Sequence, residues 1–193
     1  MLRAVLDTCV LVPGRQRDFL LQLAAEEAYT PLWSSGVLDE LSDVLRRLNE
    51  RRGRADYPPA RTHLLRQMKR GFPGSTIQAP RSVDYGYDLS DPGDGHVVHA
   101  AIFGGAEVIV TTDRRAGFAA SRSLEAAEVE ILTPAEFAGN TVAFHPDQGF
   151  TAIMEMSTRR KNPPEPPLII LEILRDRYGM QEVYHLLRPR FDE

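Results

Sequence analysis

Two apolar runs, residues 2–6 and the stretch Glu-Val-Ile-Val-Thr-Thr at 107–112, each deliver an aspartate, Asp7 and Asp113, with helical periodicity between them. Short apolar runs of this kind read as buried strands, and strands alternating with helices build a parallel sheet covered on both faces. The expected fold class is therefore α/β, a parallel sheet flanked by helices. In that architecture the carboxyl ends of the strands open onto a crevice. Glu40, on the helix after the second strand, and Asp94, at the start of a later helix, fall where the sheet would bring them to the same edge. Two carboxylates about 4 Å apart repel by roughly 4 kcal/mol at an effective dielectric near 20. Four converging acids are therefore tolerated only with cations between them or protons on them, and an oxygen-only donor set suits Mg2+ or Mn2+.

The periodicity fills in the rest. A helix is expected over 15–28 and a second short strand over 29–33. A strongly amphipathic helix over 36–52 carries the stripe Val37, Leu38, Leu41, Val44, Leu45 and Leu48, with Glu40 just outside it. Another helix runs from Pro58 to about Gly71, and turns and a weak strand follow to Pro80. Residues 84–93 read as a loop. The segment from Asp94 to Phe103 has so little polar face that the helix should be buried, and Gly104-Gly105 stops it. A short helix from Arg114 and a strand over 129–132 complete the alternation. From Asn140 on, the pattern becomes helical, with segments over 150–161, 168–178 and 181–187 and a Pro-rich break at 162–167 that no helix can cross. The expected division is a domain over 1–139 and a small C-terminal helical appendage over 140–193.

With 193 residues, 42% hydrophobic and 26% charged, the chain has the composition of a globular protein, with no apolar stretch of membrane-spanning length. A strand-like amino terminus without a signal-peptide pattern makes a cytoplasmic location the default expectation. The lone Cys9 excludes an intramolecular disulfide and argues against a thiolate metal site. The net charge of -4 speaks against a surface coated for tight nucleic-acid binding, yet all but two of the 23 basic residues are arginine, the exceptions being Lys69 and Lys161. Arginine offers bidentate contacts to phosphate, although such usage also follows genome composition. Arg47, Arg51 and Arg54 share the strip of Glu40 and would form a basic track for RNA phosphates, unless they are a solvated face paired with Asp43 and Glu50.

Each acid has a plainer reading. Asp7 could cap a turn at the end of its strand, Glu40 could be a solvated helix-edge residue, Asp94 a helix N-cap with Asp91 competing for that role, and Asp113 a turn acid. His96 could touch phosphate or simply pack. Cys9 reads as a small core filler and a weak donor.

The motifs Val-Leu-Asp7-Thr-Cys-Val-Leu, Trp33-Ser-Ser-Gly-Val-Leu-Asp-Glu40-Leu, Asp91-Pro-Gly-Asp94-Gly-His-Val and Val-Ile-Val-Thr-Thr112-Asp113 with Phe118 resemble the PIN-domain nucleases over residues 2–138. The likeness is greatest to the VapC-like toxins of bacterial toxin–antitoxin pairs, and the tail resembles, more loosely, the helical extension of one PIN subgroup. The resemblance implies a PIN-like parallel sheet and a metal-dependent ribonuclease, a hydrolase that leaves a 5′-phosphate and a 3′-hydroxyl. Asp7 and Asp94 would be central metal ligands, with Glu40 and Asp113 completing the ring. Thr111 and Thr112 would orient bound waters. The chain departs from the family where Cys9 stands in place of the usual Asn or Ser. A cognate antitoxin and a homodimer are the partners implied. Two rivals remain: a catalytically inactive PIN-like module that binds RNA or protein, and a phosphotransferase using Asp7 as nucleophile, disfavoured because the second Asp that such enzymes carry is here Cys9.

Overall fold

The computed structural model describes residues 1–51, 53 and 58–192. Five strands form one parallel sheet flanked by helices. In chain order these are β1 (Arg3–Leu6), α1 (Thr8–Leu11), α2 (Gly14–Ala25), β2 (Thr30–Ser34), α3 (Ser35–Arg51), α4 (Pro58–Gly71), β3 (Thr76–Ile77), α5 (Gly95–Gly104), β4 (Val108–Val110), α6 (Arg122–Ala126), β5 (Glu130–Leu132), α7 (Pro134–Phe144), α8 (Pro146–Arg159), α9 (Pro167–Tyr178) and α10 (Gln181–Leu187). Short 3-10 turns at Pro92–Asp94, Phe118–Ala120 and Arg188–Phe191 complete the path. The strand order is β3-β2-β1-β4-β5, so the numbering reverses direction between β1 and β4.

The chain divides into two compact units. The sheet unit holds residues 3–12 and 31–131. Its centre is β1 and β4, whose apolar side chains are almost wholly buried, paired with Ala4 opposite Val108, Val5 opposite Ile109 and Leu6 opposite Val110. β2 pairs with β3 through Trp33 opposite Thr76 and Ser34 opposite Ile77, and the Trp33 indole N–H donates to Thr76 Oγ1 at 2.9 Å. On α3 the amphipathic stripe is buried at Val37, Leu38 and Leu41 but only half-buried at Val44, Leu45 and Leu48, because the helix runs on past the packed region.

Two expectations for this unit need correction. No helix starts at Arg114; residues 114–116 bend, a 3-10 turn follows at Phe118–Ala120, and α-helix returns at α6. α5 is buried on its inner side, yet Phe103 is 70% exposed, since a helix apolar all round conceals from a sequence reading which of its faces turns outward.

The helical unit holds residues 1–2, 13–30 and 132–193. Phe19, Leu20 and Leu23 of α2 are fully buried in it, beside Phe137, Ile153, Ile170 and Leu171. Tyr29 meets Phe137 edge-on with centroids 4.8 Å apart and donates its hydroxyl to Leu20 O at 2.9 Å. A capping box between Thr133 and Glu136 starts α7. That helix spans the position, 139/140, at which the sequence suggested a boundary. No described helix is long and apolar enough to cross a membrane.

Candidate active site

Strand register sets the first pair of site residues. Leu6 and Val110 are level, so Asp7 and Thr111 leave the sheet side by side, with Asp7 N donating to Val110 O at 3.1 Å. This is the point where strand order reverses, the usual place for a ligand crevice in an open α/β sheet. Asp7 also caps α1. Its Oδ1 accepts from Thr8 N at 2.6 Å, and its Oδ2 accepts from the Thr111 hydroxyl at 2.6 Å and from Cys9 Sγ at 3.2 Å. Burial nevertheless raises the Asp7 carboxyl above its ordinary range, outweighing those three bonds.

Cys9 is more than a core filler. The half-buried thiol also lies 3.4 Å from Thr111 Oγ1 and accepts from Thr112 N at 3.3 Å, so that it bridges Asp7 and the Thr111-Thr112 segment. Burial first and the Asp7 charge second raise its pKa, which keeps thiolate scarce. The Thr112 residue is exposed and contributes its backbone here; the Thr111 hydroxyl is buried between Asp7 and Asp113 N, from which it accepts at 2.9 Å.

Glu40 sits at the end of a buried relay. Its Oε2 accepts from the Thr8 hydroxyl at 2.7 Å, and its Oε1 faces His96 Nε2 at 3.4 Å. His96 is fully buried, with Nδ1 2.7 Å from Ser34 Oγ, and Ser34 Oγ in turn accepts from Val37 N at 2.8 Å as the cap of α3. The bonds are mutually consistent if Nε2–H is given to the carboxylate and Nδ1 accepts from Ser34. Burial alone would raise the Glu40 carboxyl, but the bonds from His96 and Thr8 prevail and it lies below its ordinary value. His96 is thus too deep to touch phosphate and contacts Glu40 instead.

Asp94 ends the 3-10 turn that leads into α5, and its side chain makes no capping hydrogen bond. Asp91 stabilises the turn, accepting from Gly93 N at 2.9 Å. The Asp94 carboxyl is pushed up to about 7, first by burial and then by the charges of Asp7, Asp91, Asp113 and Glu40. Asp94 thus feels the charges of the other three acids expected from the sequence. Asp113 is exposed and combines two roles, because its Oδ1 also accepts from Arg115 N at 2.7 Å and Ala116 N at 3.3 Å.

Residues 3–115 match the sequence model of the PIN domain. The chain belongs to the PIN domain family. No curated protein and no solved structure matches it at a significant level. PIN domains are generally nucleases acting on nucleic acids and typically use divalent metal ions. In this PIN domain, among the described residues, no three Asp, Glu, His or Cys side chains stand close enough together to close on one ion. The donor chemistry nonetheless fits a hard divalent cation. The acids offer oxygen only, Asp94 carries no cap bond that it would have to surrender, and the repulsion from neighbouring acids, which adds to burial in raising its pKa, is what a cation relieves.

Beside the acids, Cys9, Thr112, Asp113, Arg114 and Arg115 line an open cavity of about 420 Å3. The two arginines were missed by the sequence reading, as were Thr8 and Ser34; an Arg pair in an expected helix gives no sign that a bend will turn it toward a site. Of the expected basic track, Arg47 is exposed with Nε 3.4 Å from Asp43 O, and Arg51 is exposed at the end of α3. Arg54 lies outside the described residues. Asp43 itself pairs with Arg81 at 2.5 Å, and Glu50 with Arg46 at 2.8 Å.

Proposed function

We propose that this PIN domain is a metal-dependent ribonuclease, and that it serves as the toxin of a toxin–antitoxin pair of the VapC-like kind. The nuclease reading is carried by the match of residues 3–115 to the PIN domain, and it is supported by an Asp94 carboxyl raised to about 7, first by burial and then by the charges of Asp7, Asp91, Asp113 and Glu40. Asp7 and Asp94 would hold Mg2+ or Mn2+ centrally, with Glu40 and Asp113 completing the ring directly or through water. When bound, the ion supplies positive charge to the attacked phosphate and lowers the pKa of the adjoining water.

The protein's own part is positional. Thr111, Cys9 and Thr8 N fix both oxygens of Asp7. Thr8 and the Ser34–His96 relay fix Glu40, and Asp91 takes the turn-capping duty that would otherwise occupy Asp94. Arg114 and Arg115 line the cavity, where a guanidinium would hold the phosphate against the acids, and the exposed Arg47 and Arg51 of α3 would contact the RNA backbone.

Purified protein should cleave RNA in Mg2+ or Mn2+ and stop in EDTA, leaving 5′-phosphate ends. Cleavage undiminished by chelator would refute the metal mechanism. RNA or protein binding without cleavage in either metal would favour the inactive-module reading instead. The toxin role predicts growth arrest on expression and its relief by a small DNA-binding protein encoded alongside. Light scattering tests the proposed homodimer.

A further inference from the structure

α5 leads away from the acids with a row of rings on its outer side. Counting from Gly95, His99 and Phe103 stand four and eight residues on, one face of a helix. The preceding loop adds Tyr85, whose ring centroid is 4.6 Å from that of His99, and Tyr87, nearly parallel to Tyr85 at 6.3 Å and 13°. His99 in turn stacks on Phe103 at 4.1 Å and 23°. Hydrogen bonds tether the ring edges, Tyr85 OH donating to Pro80 O at 3.0 Å and Tyr87 OH lying 3.3 Å from His99 Nδ1, while Phe103 remains 70% exposed.

We propose that Tyr85, Tyr87, His99 and Phe103 form a stacking platform for the unpaired bases of a single-stranded RNA whose backbone enters the acidic site. The proposal rests on the nuclease reading for the identity of the ligand. Its first support is continuity: the row begins at the residue after Asp94, with Tyr85 atoms 3.3–3.4 Å from where a Cβ on Gly95 would stand. At about 1.5 Å per residue, α5 carries the rings about 12 Å onward from the acids. The second is chemistry, since the rings, fixed by hydrogen bonds and by stacking on one another, form an ordered stack that ends on the 70% exposed Phe103, where a base can extend it through the π face that every base shares. Beyond Phe103 the Arg3 guanidinium comes within 3.6 Å of the position a Cβ on Gly105 would take, offering charge to a phosphate at the far end. A protein partner is less well served. Among the described residues, the sheet unit exposes only Val83 and Phe103 as large hydrophobics, whereas a stable interface buries about 800 Å2 per partner.

The test uses the full chain in EDTA and a fluorescein-labelled oligoadenylate of about twelve nucleotides, within the range of single-strand sites. Phe103→Ala and Phe103→Leu should each weaken binding at least about fivefold, the ratio corresponding to about 1 kcal/mol of base stacking. Phe103→Trp should retain it. An abasic strand of the same length should bind wild type and variants alike, and all variants should melt with wild type. Unchanged affinity in Phe103→Ala, or full binding by Phe103→Leu, would overturn the platform. So would a wild-type dimer that Phe103→Ala splits without altering RNA affinity, which would assign the row to a second copy of the chain. Binding ratios as expected in a protein that never cleaves RNA would leave the platform standing and remove the nuclease reading.

Discussion

Asp94 concentrates the electrostatics of the site, because it collects charge from four other acids and has no cap bond to offset it. In the metal-free protein its folded-state pKa of about 7 stands above the ordinary 3.8, so the folded state holds the proton more tightly. Its contribution to stability is complete below about pH 4 and is lost as pH rises through about 7. Asp94→Asn should therefore raise the melting temperature in EDTA at pH 8, with the gain vanishing near pH 4, while cleavage with Mg2+ disappears. Identical pH profiles for the two proteins would show that the acids do not repel as described. Cys9 yields a second residue-level prediction. Cys9→Ser keeps a donor to Asp7 and should retain cleavage, whereas Cys9→Ala removes it and should raise the Mg2+ concentration needed for half-maximal rate. The raised thiol pKa also makes alkylation of native Cys9 by iodoacetamide at pH 8 slower than after unfolding. Equal Mg2+ requirements for all three proteins would return Cys9 to the role of filler.

Between elements, the decisive contact is α3 against α5. A Cβ at Gly36 would come within 2.9 Å of His96 Cγ and of Arg81 N, so Gly36→Ala forces ring or backbone to shift. Overpacking of this kind costs about 1–3 kcal/mol. Because His96 orients Glu40, the variant should lose cleavage out of proportion to its loss of stability in urea; a variant destabilised yet fully active would show that the relay does not position Glu40. This contact also marks the limit of what the sequence discloses. Strands β1 and β4 were legible because each is a short apolar run ending on an acid, and α9 and α10 because Pro and Gly bracket them. The positions of Asp7, directly after β1, and of Asp94, directly before α5, were legible because an apolar run and a turn mark them. The relay was not, since nothing in the spacing of Ser34, Glu40 and His96 reveals that a glycine lets the imidazole in between. Nor was the aromatic row, whose members lie apart in sequence and meet only once the loop folds back on α5.

For the whole molecule, the question is whether the C-terminal helices can be removed. α2 packs against α8 and α9, burying Phe19, Leu20 and Leu23 completely. Polar ties reinforce the contact: Arg15 with Glu165, Arg160 with Asp18 at 2.5 Å, and Arg159 Nη1 donating to Gln22 Oε1 at 2.6 Å. These surface ties contribute little each. The three apolar side chains, by contrast, are worth on the order of 5 kcal/mol together, comparable to the full stability of a small domain even after allowing for a compact unfolded state. Truncation after Gly139 cuts α7 midway, removes α8 to α10 and strips α2 of this cover. The shortened chain should therefore aggregate or bind a hydrophobic dye, and its melting transition should broaden or fall sharply. Restoring residues 140–193 as a separate polypeptide should recover solubility if the helices act by covering α2. A truncated protein that stays soluble, melts with the full chain and keeps its mass by light scattering would show that the buried face of α2 needs no such cover, and would free the C-terminal helices for an antitoxin or another partner.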